Sequence, residues 1–539
     1  MLTGDMLRRS AARLPGKTAV RRDAIALTYA ELDARASQLA HALLALGLKQ
    51  AAKIAIISRN LPEYAIAFFG VARAGCVLVN VSVLYAPDEL AWVLNQADVE
   101  VLLFDALFAE KVAAVAPRCP AIATFVRIDS PESLGASASQ ATWPQDRPAP
   151  RLFEAYIGEK PATIPAITID ERDPFCMTYT GGTTGRPKGV LCSHRARALT
   201  AHTVVVEEAL DERDVVAITT PLFHVAALNI MFQPAMLVGA TCTLVTPWSP
   251  EKFIDTCARD GVTAAFMVPT QANALTASLA FDATRRDATR FDAARLATWK
   301  KLSFAGAPMP DWVQIELRKR LPQLQLTQIY GQSEMGVLTS LRDWYLPEKL
   351  GSIGRAAYNV DVGLFDLHGD AVAPGAIGEI ASRGDNLMLE YYNEPEQTAA
   401  FYKYPDKLPG WGFTGDVGTI DADGFITLLD RAKDMLISGG ENVYPKEIED
   451  VIYALPEVAE CAVFGIPDEK FGELPAAYIA LKSGAMLSEA AVIAQCEAKL
   501  ARHKRPRLVK FVSEFPKTPI GKIQKNLLKE PYWQGRKKI

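Results

Sequence analysis

Residues 178–190 read Thr-Tyr-Thr-Gly-Gly-Thr-Thr-Gly-Arg-Pro-Lys-Gly-Val, a run of hydroxyls and glycines closed by cations. Glycine permits positive φ and lets backbone N–H groups come close to an anion. Thr180, Thr183 and Thr184 add hydroxyl donors beside Gly181, Gly182 and Gly185, and Lys188 adds charge. Such a composition suits a loop folded around the phosphate oxygens of a nucleotide. It is not a Walker A loop. That motif needs G-x-x-x-x-G-K-[ST], whereas Lys188 follows Pro187 and precedes Gly189, so the P-loop NTPase reading fails on spacing.

Further clusters follow along the chain. They are Pro221-Leu222-Phe223-His224, Gly306-Ala307-Pro308, Tyr330-Gly331-Gln332-Ser333-Glu334, Gly378-Glu379-Ile380, Phe413-Thr414-Gly415-Asp416, Asp430-Arg431-Ala432-Lys433-Asp434 and Pro516-Lys517-Thr518-Pro519-Ile520-Gly521-Lys522. In this order they resemble the adenylate-forming superfamily of acyl-CoA synthetases, peptide-synthetase adenylation domains and luciferases. The chain matches that family's loop pattern [ST]-[ST]-G-[ST]-T-G-x-P-K-G except at Gly182, and the resemblance runs from about Leu27 to about Lys525. It implies an α/β fold with a large N-terminal domain, residues 1–430, of helix-covered, largely parallel sheets. A junction at 431–434 and a small, mobile α+β cap over 435–539 complete the expected organisation.

The implied reaction is the acyl-CoA synthetase version: a carboxylate and ATP give an acyl-adenylate and pyrophosphate, then coenzyme A gives the CoA ester and AMP. A carboxylate attacking a phosphate brings anion to anion, so charge must be screened and stabilised. By resemblance Glu334 is the carboxylate on the side of Mg²⁺, a hard cation that takes oxygen ligands. Ser333 keeps a hydroxyl for a phosphate oxygen. Tyr330 offers a flat ring to adenine, with Gly306, Ala307, Pro308, Gly331 and Gln332 around the slot. Asp416 corresponds to the ribose carboxylate, with Arg431 donating beside it. Lys522 corresponds to the cation bridging the carboxylate and the α-phosphate, and Lys433 to the hinge residue. His224 is assigned orientation of the acid, because a carboxylate nucleophile is already ionised and needs no general base.

For the thiol step, Ser438, Gly439 and Gly440, continuing into Glu441-Asn442, resemble the wall of a pantetheine tunnel. Lys470 to Glu473 and Arg502 to Arg507 are candidates for the nucleotide end of coenzyme A. Two other outcomes are weighed: transfer to a carrier-protein thiol, and a catalytically silent nucleotide-binding scaffold. The segments expected to line the acid pocket, Val225 to Asn229, Met267 to Pro269, Phe304 to Ala307 and Met335 to Val337, contain no Lys or Arg. A second anion is therefore disfavoured, and an uncharged aliphatic or aryl monocarboxylate is expected.

The surrounding chain must build the scaffold that places these groups. At 539 residues and 49% hydrophobic composition it can bury more than one core. A net charge of −4, from 58 Lys+Arg against 62 Asp+Glu, gives no basic field for nucleic acid. The eight scattered cysteines offer neither C-x-x-C nor a zinc pattern, and point to a reducing, cytoplasmic setting. Val225 to Val245 is interrupted by Asn229, Gln233, Pro234 and Gly239, so it reads as buried core and not a membrane span. The arginine-rich first 22 residues read as an amphipathic first helix in preference to a mitochondrial transit peptide. Oligomeric state is left open, a homodimer among the options.

Thr28 and Glu31 form a capping box ahead of Leu32, Ala36, Leu39 and Leu43, spaced for one helix face. Lys53 to Ser58, Val77 to Val81 and Val99 to Phe104 are short apolar runs of buried-strand type, which predict parallel sheets covered by helices. Ser130 to Pro165 reads as a surface loop, Asp421-Asp423-Gly424 as a tight turn, Ile437 to Asn442 as a flexible glycine stretch, and Pro445 to Leu455 as a helix opening.

Overall fold

The computed structural model describes every residue except 131, 132, 134–141, 181–185, 282–292, 308, 432, 433, 439, 440, 469, 518–522 and 535–539. The described chain forms two compact units. The first holds residues 1–350, 356–361 and 383–403, and the second 351–355, 362–382 and 404–539.

In the first unit the short apolar runs become strands Lys53–Ile57, Val77–Asn80 and Val99–Asp105 of an eight-stranded sheet, paired in parallel as expected. Strand Pro174–Thr180 joins them in parallel, and Lys188–Ser193 returns antiparallel to it. Residues 181–185, read above as part of a phosphate loop, come between these two strands in sequence and lie outside the described residues. Helix Tyr29–Leu44 carries the expected capping box: Thr28 Oγ1 accepts the Glu31 N–H, and Glu31 accepts the Thr28 N–H. It packs on helix Pro62–Arg73 at Gly70, where a Cβ would stand 2.8 Å from a Leu39 methyl. The backbones can approach only because Gly70 has no side chain.

A nine-stranded sheet in this unit supplies the second set of parallel strands: Val215–Ile218, Ala264–Met267, Lys301–Phe304 and Gln325–Gln332. Their register aligns Ala217 with Ala265, Met267 with Phe304, and Phe304 with Gln328. The carboxyl ends of all four strands therefore lie along one edge, where open α/β sheets place ligand sites. Val225 to Val245 is the expected buried mixture: a π-helical turn Ala226–Phe232, helix Gln233–Val238 and strand Thr241–Leu244.

The second unit holds a four-stranded sheet, with Phe365, Ala381 and Phe413 as its core, and a five-stranded sheet. Strand Val458–Asp468 alternates with period two. Cys461 and Val463 pack under helices Pro445–Tyr453 and Glu489–Lys499, while Ala462 and Phe464 face helix Lys525–Trp533. The expected junction at 431–434 falls between the two sheets. The Asp421-Asp423-Gly424 turn forms as read, with Gly424 at φ +84° and the Asp421 carboxylate accepting the Asp423 and Phe425 amides.

Two local expectations change. The segment read as a loop over 130–165 carries helix Phe153–Ile157, whose Phe153 and Tyr156 are buried; its five residues are too short for periodicity to register. Of the stretch Ile437 to Asn442 read as flexible, Ile437 and Ser438 pair with Asn442 and Glu441 in strands Leu436–Ser438 and Glu441–Val443, while Gly439 and Gly440 lie outside the described residues. Among the described residues no helix is long and apolar enough to cross a membrane.

Candidate active site

The Tyr330 to Glu334 motif lies where strand Gln325–Gln332 turns back into Gly336–Leu341. A bulge falls between Tyr330 and Gly331, and the Gly336 carbonyl fills the space a Gly331 side chain would need. Gly336 itself sits at φ +70° against the Thr200 hydroxyl. The turn is thus sterically reserved for glycine at both positions. Residues 386–391 clamp it from outside: Met388 N–H donates to the Glu334 carbonyl at 2.7 Å, and Asn386 Nδ2 to the Met335 carbonyl at 2.6 Å.

The Glu334 carboxylate is half-buried and accepts a hydrogen bond from Tyr391 Oη at 2.8 Å. Lys188 Nζ stands 5.2 Å from the centroid of that same tyrosine ring and donates to Gln397 Oε1 at 2.6 Å. Lys188 faces Thr180 across the antiparallel pair, at the mouth of the loop that joins them. Tyr391 therefore bridges the loop cation and the motif carboxylate. Neither Tyr391 nor Gln397 is legible from spacing, because both lie about 200 residues from Lys188 and outside every motif.

His224 follows the carboxyl end of strand Val215–Ile218, in a turn that Asn60 pins from both sides. Asn60 Nδ2 donates to the Thr220 carbonyl at 2.9 Å, and its Oδ1 accepts the Leu222 N–H at 2.8 Å. The imidazole Nδ1 accepts the Ala226 N–H at 3.2 Å, which leaves the ring proton on Nε2. Burial lowers the His224 pKa to about 4, so the ring is neutral at pH 7. Gly306, at φ +89°, turns the chain at the end of Lys301–Phe304, with Ala307 following, exposed. Nearby, Met267, Phe304 and Met335 are all buried.

Asp416 and Arg431 belong to the second unit and stand directly opposite each other on antiparallel strands. Asp416 is buried, and its N–H donates to Thr414 Oγ1 at 3.0 Å. Ser438 is buried and pairs with Gly472. Of the basic runs, Lys504 is engaged with Glu447 at 2.5 Å and Arg505 with Glu497 at 3.3 Å, whereas Lys470 is exposed beside Phe471. Gly181, Gly182, Thr183, Thr184, Pro308, Lys433, Gly439, Gly440 and Lys522 lie outside the described residues, as does the Arg431 side chain.

Among the described residues no group of three or more His, Cys, Asp or Glu could hold a metal ion. A lone carboxylate such as Glu334 fits Mg²⁺, which is commonly held by one or two carboxylates together with substrate phosphates and water.

The chain matches the family model described as AMP-binding enzyme over residues 7–392, and that of the AMP-binding enzyme C-terminal domain over 447–522. It is 34% identical over 524 residues to a feruloyl-CoA synthase of an Amycolatopsis species, covering 96% of both chains. It is 31% identical to an indoleacetate–CoA ligase of Aromatoleum aromaticum, covering 98% of this chain and 97% of the other. Among solved structures it is similar to ATP-bound MatB from Rhodopseudomonas palustris, with a TM-score of 0.84, 27% identity and 99% of each chain covered.

Proposed function

The chain belongs to the AMP-binding enzyme family and is an ATP-dependent, AMP-forming acid–CoA ligase; we propose that its acid is an uncharged aryl or aliphatic monocarboxylate. The observation carrying the proposal is the absence of any Lys or Arg from the four segments at the strand ends, together with the burial of Met267, Phe304 and Met335 there. A second carboxylate would be desolvated with no partner, a cost that burial of apolar atoms would not offset. Relatives named for ferulate and indoleacetate are in keeping with an aryl acid.

On this reading Tyr330, Gly306, Ala307 and Gly331 hold adenine, Asp416 with Arg431 the ribose, and Thr180, Ser333, Lys188 and the loop amides the phosphates. His224 orients the acid: Nδ1 is occupied by the Ala226 N–H, so neutral Nε2–H is free to donate to one carboxylate oxygen while the other attacks. Lys522 stabilises the charge that develops at the α-phosphate. Glu334 would hold Mg²⁺, whose charge would offset that of the polyphosphate. Residues 431–434 form the junction, and the Ser438 to Asn442 strand pair lines the path of the pantetheine. A cytoplasmic location is part of the proposal, supported by eight free, buried cysteines.

A panel of acids read by pyrophosphate release tests it. Uncharged aryl and aliphatic acids should exceed malonate and succinate in kcat/KM by at least about tenfold, the scale at which a pocket rejects an unpaired charge. Comparable turnover of succinate and an uncharged acid of similar size would sink the pocket reading.

A further inference from the structure

Asn60 spends both ends of its side-chain amide on a distant stretch of backbone. It is 4% exposed and stands between strand Lys53–Ile57 of the eight-stranded sheet and helix Pro62–Arg73. Its partners, the Thr220 carbonyl at 2.9 Å and the Leu222 N–H at 2.8 Å, follow strand Val215–Ile218 of the nine-stranded sheet. Asn60 thus ties the two sheets together beside His224. A carbonyl and an N–H two residues apart need an acceptor and a donor side by side, which a short primary amide supplies in one group.

Pro221 lies between the two groups that Asn60 holds, and its carbonyl accepts the His224 N–H at 3.0 Å. The His224 carbonyl in turn accepts the Leu228 N–H at 3.1 Å, and Nδ1 the Ala226 N–H at 3.2 Å, so the imidazole is fastened to the backbone of its own turn. Where that turn sits is decided by Asn60. The far end of the segment is held by the neighbouring helix: Phe232 closes the π-helical turn with its ring 5.7 Å from that of Phe68 and 5.8 Å from that of Phe69. One short stretch, residues 60–69, therefore grips the chain on both sides of His224.

We propose that Asn60 is a positioning residue for the acid: it aims the His224 Nε2–H by fixing the Thr220 to Leu222 backbone, and touches no substrate itself. The inference rests on the reading above in which His224 orients the carboxylate. It differs from a purely stabilising role in one respect, since a residue that acts through His224 has nothing left to act on once that ring is gone.

A double-mutant cycle separates the two. The probes are ferulate and hexanoate, one aryl and one aliphatic acid, with adenylation read by pyrophosphate release. Asn60→Ala should lower kcat/KM for the acid by at least about tenfold, as a misplaced orienting group does, while KM for ATP stays within about twofold of wild type. In a His224→Ala background the same substitution should cost no more than about threefold. Losses that multiply across the two sites, an unchanged kcat/KM in Asn60→Ala, or a KM for ATP that rises as much as that for the acid, overturn the proposal. If Asn60→Ala does not fold, Asn60→Ser, whose hydroxyl can keep one of the two hydrogen bonds, decides by the same cycle. His224→Ala with an unchanged kcat/KM for the acid would instead overturn the His224 reading on which this inference depends, and wild type that activates neither acid would overturn the monocarboxylate reading.

Discussion

At the residue scale, the reaction rests on a few charges whose states the fold sets. Lys522 is the cation assigned to the α-phosphate, and Lys522→Ala should lower adenylation by at least about 10²-fold, the scale for losing one pre-placed charge stabiliser. Supplied acyl-adenylate and coenzyme A should still give product at close to the wild-type rate. Equal loss of both half-reactions would make Lys522 structural. Histidine charge sets a pH limit. His194 is fully buried, stacked on Phe175 at 4.7 Å, and burial lowers its pKa from 6.5 to about 4. The unfolded chain thus takes up a proton below pH 6.5 that the folded chain refuses until about pH 4, so stability falls as pH drops through that window. Between pH 7.5 and 5 the loss is about 2 kcal/mol for this one group. Chemical denaturation of His194→Gln at the two pH values should show that much less acid sensitivity than wild type. An unchanged difference would place the sensitivity elsewhere.

At the scale of elements, the turn between strands Gln325–Gln332 and Gly336–Leu341 is the part of the site that tolerates least. A methyl at Gly331 would collide with the Gly336 carbonyl, which is backbone and cannot swing aside. Gly331→Ala should therefore displace Glu334 and reduce adenylation by about 10²-fold, as misplaced catalytic groups do. Gly306→Ala is the contrast: no atom comes closer than 4.0 Å, and only its φ of +89° is unfavourable, a strain of about 1–2 kcal/mol. It should lower the melting temperature and, as a residue of the proposed adenine slot, raise the KM for ATP while sparing kcat more than Gly331→Ala does; the reverse ranking of the two variants in kcat would refute this account of the turn. These turns also mark how far the sequence could be read. The apolar runs 53–57, 77–80 and 99–105 were legible because parallel strands buried on both faces leave continuous hydrophobic stretches. The motif residues Tyr330 to Glu334 and His224 were singled out by their resemblance to the family's motifs, in which their types carry chemistry. Tyr391, Asn60 and Gln271 were not, since each makes its contact across sequence: Asn60 meets Thr220, and Gln271 Nε2 meets the Thr219 carbonyl at 3.0 Å. No local pattern encodes such pairs. Helix Phe153–Ile157 escaped for the opposite reason, being shorter than the window in which a period can be recognised.

At the scale of the whole molecule, two half-reactions make different demands on one C-terminal domain. Lys522 and the Ser438 to Asn442 stretch both belong to residues 435–539, yet the first is proposed to serve attack on ATP and the second the entry of a thiol. One rigid domain cannot present both to the same point, so the chain should adopt two orientations, with the change in φ and ψ concentrated at a few junction residues. Lys433 is the residue proposed to absorb it. Its neighbours in the second unit are anchored: Asp430 accepts the Lys446 N–H at 2.9 Å, Asp434 pairs with Lys529 at 3.0 Å, and Lys525 pairs with Glu449 at 2.7 Å. The Asp430–Lys446 bond spans the junction, so rotation about Lys433 must break it while the Asp434–Lys529 and Lys525–Glu449 pairs move with the residues that follow. Proline fixes φ near −65° and removes the N–H, so Lys433→Pro should hold one orientation. The adenylating one should survive, since that is the state ATP meets first. Acid-dependent pyrophosphate release in a single turnover would then persist while CoA ester formation from supplied adenylate collapses. Normal rates for both steps would show that the domain does not pivot at Lys433, and loss of adenylation alone would reverse the assignment of the resting orientation.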